Sequence, residues 1–228
     1  MSEKEFDHYA VTYDAALGKS LAVTGESRDF YAKGRIDQTA RRVTEFGRSP
    51  RRILDFGCGD GANSPILAAK FQAESVLGVD VSSESIAVAR RLRAGQGVSF
   101  FLADEWIPDG SVDLAYVNGV FHHIPPSERD GCLRSIARAL APSGLLALWE
   151  NNPWNPGTRY VMSLCEFDRD AITINPLEAK RMLQGAGLRI LRQDFLFFFP
   201  NSLRAFRPLE SRLHSIPLGG QYMTLCAI

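Results

Sequence analysis

The stretch that decides the fold is ILDFGCGDGANSPIL, which runs from Ile53 to Leu67. Its apolar start predicts a β-strand, and three glycines at alternate positions then lead into a helical pattern. Glycine lets a backbone adopt unusual conformations and approach a ligand closely, and several nucleotide-binding folds use such a turn between a strand and a helix. An acid, Asp55, lies two residues before the first glycine. The stretch therefore predicts a ligand-binding turn in an α/β sheet, but it does not identify the ligand.

From residue 51 onward, short β-rich runs alternate with helical patterns, which is typical of a parallel α/β sheet. Ser127 is a plausible N-cap of one helix, and the Pro-Ser-Gly run at 142–144 is expected to end it. Strands are predicted at 51–57, 75–82, 98–104, 112–121, 144–151, 189–200 and 220–228, and helices at 61–71, 82–94, 127–144 and 176–188. The alternation thus predicts one large domain.

Composition narrows the class of protein. The chain has 228 residues, 45% of them apolar, and its 26 basic residues balance 26 acidic ones, so no net charge favours nucleic acid or a membrane surface. No apolar run approaches the ~20 residues of a membrane helix, and the N-terminus lacks the apolar core of a signal peptide. The four cysteines are scattered, without metal-ligand spacing. We therefore expect a cytoplasmic protein with no metal site and no disulfide framework.

Two further acids end predicted strands. Asp80 closes the run VLGVD, and Asp104 closes FFLAD. Open α/β sheets bind ligands at the carboxyl ends of their strands, where Asp80 can accept hydrogen bonds from both ribose hydroxyls and Asp104 can reach an adenine amine. The alternative is that both acids cap the segments that follow. With the glycine turn, they predict a pocket for an adenosine group.

A dinucleotide dehydrogenase shares part of this pattern, because GCGDGA matches GxGxxA. Asp55, however, would oppose a pyrophosphate, and the chain contains no Tyr-x-x-x-Lys pair. A ligand with an ammonium group and no phosphate fits better, and S-adenosylmethionine has both properties.

The runs LDFGCGDG, GVDVSSESIAVAR, LADEWIPDGSVDLAYVNGVFHHI and ALAPSGLLAL occur in this order. Together they resemble the class I S-adenosylmethionine-dependent methyltransferases, closely over residues 50–150, and the C-terminal segments resemble the last helix and hairpin of that fold. The resemblance implies a doubly wound, seven-stranded Rossmann-like sheet of order 3-2-1-4-5-7-6 with the last strand antiparallel. It also implies S-adenosylmethionine as cofactor and a small-molecule acceptor.

The resemblance assigns roles to individual residues of the cofactor site. Asp55 supports the loop and Asp80 holds the ribose. The backbone of Gly57, Cys58 and Gly59 is expected to contact the methionine and ribose. Val81 is expected to pack on the adenine, and Asp104 with the Glu105 amide to recognise the adenine edge. Asn118 is expected to offer its carbonyl to the methionine ammonium.

Other residues are candidates for handling the acceptor. His123, and less strongly His122, can act as general base; alternatively one ring stacks on the cofactor or binds backbone while the other faces solvent. Trp154, Tyr160 and Phe167 either line the acceptor pocket or pack an insert at 151–175. Glu150, Asn151 and Asp168 are secondary candidates for orienting the acceptor.

The N-terminal region predicts a helical lid over residues 1–50, followed by the main domain at 51–228. Tyr31 and Arg35 are one helical turn apart, so both can face the cofactor, with Arg35 pairing with the methionine carboxylate. The alternative is a surface arginine on an amphipathic helix. Tyr13 is a weaker candidate for the same contact.

The sequence leaves the acceptor and two rival functions open. Sugar, phenolic and amine acceptors, O- or N-methylation, and a monomer or a homodimer all remain compatible with it. The rivals are a cofactor-binding partner or regulatory protein without catalysis, and an NAD-dependent oxidoreductase.

Overall fold

The computed structural model describes residues 20–165, Asp168 and residues 171–228. The first nineteen positions of the predicted lid, including Tyr13, lie outside the described residues, as does Phe167. No helix in the described part of the chain is long and apolar enough to cross a bilayer.

Seven strands form one sheet in the order β3-β2-β1-β4-β5-β7-β6. Strand β7 is antiparallel to both of its neighbours, and the other pairs are parallel. This confirms the predicted order and the antiparallel last strand. The strands are β1 (Arg52–Phe56), β2 (Ser75–Asp80), β3 (Val98–Leu102), β4 (Val112–Asn118), β5 (Leu140–Asn151), β6 (Arg189–Leu196) and β7 (Gln221–Ala227).

Helices cover both faces of the sheet. Four of them begin at a side-chain cap, because Ser27, Ser82, Asn155 and Asn175 each accept a hydrogen bond from an amide of the first turn. The helices are α1 (Arg28–Glu45), α2 (Ser64–Phe71), α3 (Ser83–Leu92), α4 (Pro126–Ala139), α5 (Pro156–Leu164), α6 (Pro176–Gly185) and α7 (Glu210–Leu213), with 3-10 turns at Ala22–Thr24 and Asn201–Leu209.

The start and end of α4 differ from the prediction. Ser127 is not its N-cap, because the helix begins at Pro126 after Pro125, without a side-chain cap. Its end comes at Ala139, and β5 starts immediately and runs through the Pro-Ser-Gly segment. The pairing of β5 with β4 is irregular there, which accommodates the proline.

Helix α1 packs into the core, unlike the separate lid that the sequence predicted. Ile36 and Val43 have no exposed surface and belong to the apolar cluster on one face of the sheet. The indole Nε1 of Trp149 in β5 donates to Thr39 Oγ1 at 3.0 Å. These contacts place α1 in the same layer as α2.

Candidate functional site

The glycine turn follows β1 and has left-handed backbone at all three glycines. A Cβ on Gly57 would lie 2.3 Å from Val120 Cγ2, so this position requires glycine. A Cβ on Gly59 would meet no atom within 4 Å. The amides of Gly57 and Cys58 donate to Val79 O, which fixes the turn against β2. The turn is therefore rigid and leaves open space in front of Gly59.

Asp80 connects this turn to the next helix. Its Oδ2 accepts from the Gly59 amide at 2.8 Å, and its Oδ1 accepts from the Ser82 amide at 3.0 Å. Burial raises the pKa of Asp80. Each carboxylate oxygen has a second lone pair, so these contacts leave capacity to accept from a ligand. Val81, beside it, is half exposed and available for packing.

Asp55 lies behind the turn. Its carboxyl group is buried and accepts a hydrogen bond of 2.7 Å from Ser64 Oγ at the start of α2. Burial raises the pKa of Asp55 to about 7. Asp55 thus joins β1 to α2 directly, as expected of a residue that supports the loop.

The turn after β3 differs from the prediction for Glu105. The Glu105 amide, expected to read the adenine edge, donates to Leu102 O at 3.0 Å. The Glu105 side chain pairs with Arg90 and accepts from the Leu102 amide. Asp104 is exposed at the same turn. Asp104 is therefore accessible to a ligand, whereas the Glu105 amide already has a partner.

A cavity of about 440 Å³ opens beyond the carboxyl end of β4. Asn118 lies on its wall, and Tyr31 and Arg35 reach it from α1. The glycine turn and Asp80 are not part of its lining. Its aromatic lining consists of Phe30, Tyr31, Tyr160, Phe197, Phe198 and Phe199. The cavity and the turn are therefore two compartments on the same edge of the sheet.

Arg35 is a buried cation at the border of this cavity. Its side chain donates from one terminal nitrogen to Gln221 Oε1 at 3.0 Å. Only 7% of Arg35 is exposed, and its Nε has no hydrogen-bond partner among the described residues. The alternative of a surface arginine is therefore wrong. A buried, incompletely paired guanidinium fits an anionic ligand group.

Two adjacent histidines and Asp168 line the cavity, and Glu150 lies behind His122. His122 Nδ1 lies 2.5 Å from Glu150 Oε2, and the Phe121 amide donates to the other Glu150 oxygen at 2.9 Å. Asp168 Oδ1 lies 3.5 Å from His122 Nε2 and 3.7 Å from His123 Nε2. The two imidazole centroids are 4.1 Å apart. Four ionisable side chains thus meet at the end of β4 and β5.

Comparison with known proteins agrees with this geometry. Residues 53–144 match a family model described as a methyltransferase domain. Over these residues the chain thus contains a methyltransferase domain, which is similar to those of the class I S-adenosylmethionine-dependent methyltransferase superfamily. The cofactor of this superfamily is S-adenosylmethionine, and the open space at Gly59 with the incompletely paired Arg35 fits such a ligand.

The similar proteins are of two kinds. Trans-aconitate 2-methyltransferases from Methylobacterium nodulans and an Acidovorax species are 36% and 33% identical over 102 residues, which is 44% of this chain and 38% of each relative. The chain thus matches less than two fifths of the length of these relatives.

Two solved structures share the fold across most of the chain. One is a methyltransferase from Thermotoga maritima, described as a possible histamine N-methyltransferase, with TM-score 0.68, 16% identity and coverage of 97% and 99% of the two chains. The other is magnesium protoporphyrin IX methyltransferase from Synechocystis with bound S-adenosylhomocysteine, with TM-score 0.60, 17% identity and coverage of 91% and 85%.

The two histidines of this methyltransferase domain have opposite electrostatics. Burial lowers the pKa of His122, but attraction to Glu150 and hydrogen bonds to Asp168 and Glu150 outweigh it and raise the pKa to about 10. Burial and the neighbouring His122 lower the pKa of His123 to about 3. At neutral pH, His122 is therefore protonated and His123 is neutral.

Only some of the residues predicted to bind the acceptor line the cavity. Asn151, Tyr160 and Asp168 line it, but Glu150 and Trp154 do not. Glu150 is buried, with one oxygen at His122 Nδ1 and the other accepting from the Phe121 amide. Trp154 lies in the turn before α5, where the chain has left β5.

Phe197–Phe199, which were predicted as strand, line the cavity instead. Phe197 has a left-handed backbone (φ 62°), which ends β6 and turns the following residues toward the cavity. Its ring contacts Tyr31 at a centroid distance of 4.9 Å. A Cβ on Gly34 would lie 2.8 Å from the same ring, so this glycine allows α1 to approach it. The consecutive aromatics were the only signal in the sequence.

Proposed function

We propose that this chain transfers a methyl group from S-adenosylmethionine to an oxygen or nitrogen of a small-molecule metabolite. One observation carries the proposal: the cavity begins at Asn118, at the same sheet edge as the glycine turn and Asp80. Its volume of about 440 Å³ falls in the usual range of small-molecule sites. An acceptor in this cavity would lie beside a cofactor held at the turn.

The cofactor contacts follow from the accessible groups. The backbone at Gly57–Gly59 faces the methionine and ribose, Asp80 accepts from the ribose hydroxyls, and Val81 and Asp104 contact the adenine. At the other end, Arg35 pairs with the methionine carboxylate, Asn118 accepts from its ammonium, and Tyr31 covers the contact. When bound, S-adenosylmethionine supplies an electrophilic methyl group on a sulfonium.

The histidine pair handles the proton that the acceptor loses. His123 lines the cavity as a neutral ring, and Asp168 opposes the lowering of its pKa by burial and by His122. Its Nε2 takes the proton from an acceptor hydroxyl, or from an amine nitrogen that attacked as the neutral base, as the new bond forms. Asp168, 3.7 Å from that nitrogen, then stabilises the imidazolium. The protonated His122, fixed by Glu150, presents a positive charge that orients an electron-rich acceptor.

The proposed cellular location and binding partners follow from the charge of the chain and the state of its cysteines. The four cysteines are free thiols, which suits a reducing cytoplasm. The balanced charge of the chain favours neither nucleic acid nor a membrane surface as partner. A monomer and a homodimer are both compatible with the proposal.

Binding and turnover test the proposal in sequence. Calorimetric titration is expected to show binding of S-adenosylmethionine and S-adenosylhomocysteine and none of NAD or NADP. Methyl-labelled cofactor is then offered with pools of small carboxylic acids, phenols, amines and sugars, and one pool should become labelled. The variant His123→Gln should lower kcat for a hydroxyl acceptor, whereas His214→Gln, outside the cavity lining, should not.

Two results would overturn the proposal. Binding of NAD alone would favour an oxidoreductase. Tight binding of S-adenosylmethionine without labelling of any pool would favour a cofactor-binding partner protein.

A further inference from the structure

We propose that His122, His123 and Asp168 form a binding site for a divalent transition-metal ion, such as Zn²⁺, in the wall of the cavity. Each side chain offers one ligand atom, and all three atoms lie within 4.8 Å of one another. The scattered cysteines led to the expectation of no metal site. Asp168 lies 45 positions after His123 in the sequence, and the fold brings the two side chains together.

The distances suit coordination after a small contraction. Metal–nitrogen and metal–oxygen bonds near 2.1 Å place ligand atoms about 3.0–3.4 Å apart in octahedral or tetrahedral geometry. Asp168 Oδ1 lies 3.5 Å and 3.7 Å from the two imidazole Nε2 atoms. Rotation of the Asp168 and His123 side chains, which border open space, can supply the difference.

Glu150 orients His122 as a ligand. With Nδ1 directed at the Glu150 carboxylate, the Nε2 atom is directed toward Asp168. A carboxylate that accepts from the distal nitrogen of a metal-binding histidine is the usual arrangement, because it fixes the tautomer and makes the ligand nitrogen more basic. In the neutral ring, the Nε2 lone pair faces a carboxylate oxygen, so a proton or a cation must lie between them.

The charge of the cluster favours a doubly charged occupant. Within the described residues, neither Glu150 nor Asp168 forms an ion pair with a lysine or arginine. A divalent ion supplies two positive charges against these two carboxylates, and two imidazoles with one carboxylate are ligands that zinc and related first-row metals accept.

Metal binding at this site would affect the proposed methyl transfer. One nitrogen cannot both hold a metal and accept a proton, so an ion on His123 Nε2 should slow transfer to a hydroxyl acceptor. This consequence rests on the proposed function, whereas metal binding itself does not.

The test is the binding of Co²⁺ and Zn²⁺ to the metal-free full chain. Calorimetry is expected to show binding of one equivalent of Zn²⁺. Co²⁺ should give visible absorption without a thiolate charge-transfer band, since no cysteine is a ligand. His123→Gln and Asp168→Asn should each abolish this binding, and Glu150→Gln should weaken it about 10–100-fold.

His214→Gln is the matched control, because His214 is buried against Arg41 away from the cluster. Circular dichroism confirms that each variant is folded. Binding that survives in both ligand variants, or that is lost in His214→Gln, would overturn the proposal, as would no binding to the wild type. Slower methyl transfer by metal-loaded protein would support it, whereas unchanged transfer by protein shown to hold the ion would contradict only the role of His123 in the reaction.

Discussion

His122 Nδ1 and Glu150 Oε2 lie 2.5 Å apart, although the two residues are 28 positions apart in the sequence. The contact forms because β4 and β5 are adjacent parallel strands that end at the same edge of the sheet. Both side chains are buried, so neither can exchange its partner for water at low cost.

This pair makes stability depend on pH. The pKa of His122 is raised from 6.5 to about 10 in the folded protein, so its contribution is fully present below about pH 6.5 and is lost as the pH rises toward 10. Urea unfolding should show that loss in the wild type, and the Glu150→Gln variant should show a much flatter profile. Equal profiles would mean that Glu150 does not hold the imidazolium.

Asp55 should make the free energy of unfolding depend on pH in a second, lower pH range. Burial raises its pKa from 3.8 to about 7, so the folded state holds a proton that the unfolded state has released. Stability should therefore fall as the pH rises from about 4 to about 7. The variant Asp55→Asn keeps an acceptor for Ser64 and should lack this component. The comparison is the difference in unfolding free energy between the two proteins across that range.

Substitution of Thr39 tests whether α1 is part of the core. Its hydroxyl accepts from Trp149 Nε1 and donates to Arg35 O, and the residue is fully buried. Thr39→Val should cost about 1–3 kcal/mol, because it leaves the indole N–H without a partner. Thr39→Ser keeps the hydroxyl and should cost less. If both variants unfold like the wild type, α1 is not anchored through this contact.

Arg35→Ala should weaken S-adenosylmethionine binding about tenfold or more, since a hydrogen bond to a charged group contributes roughly 1.5–3 kcal/mol. Arg41→Ala is the control on the same helix, because Arg41 contacts His214 outside the cavity lining. Calorimetry should show a loss only for Arg35→Ala. Equal affinities would assign Arg35 to structure alone.

The sequence was informative where the chemistry is local. The glycine turn and Asp80 could be predicted because a strand, a turn and a carboxylate at the next strand end follow one another at short spacing. The contacts of Glu150 and Asp168 with the histidines could not be predicted, because they depend on the order of the strands and on the fold of the insert after β5. The strand predicted over 189–200 was too long, because β6 ends at Leu196 and Phe197–Phe199 turn to line the cavity.

The packing of α1 also could not be predicted from the sequence. Its pattern of apolar residues predicts a buried face, but it does not show whether that face covers the sheet or a ligand. Burial of Ile36 and Val43 by the sheet decides the question, and only the first turns of the helix reach the cavity.

The most direct test of the account is calorimetric titration of S-adenosylhomocysteine into the wild type, Gly59→Val and Gly47→Val. Both glycines have left-handed backbone and open space around an added Cβ, but Gly47 follows α1 and lies outside the glycine turn. We expect binding to the wild type and to Gly47→Val, and none to Gly59→Val, because the branched side chain would occupy the space of the cofactor. Unchanged affinity in Gly59→Val, or no binding to the wild type, would contradict it.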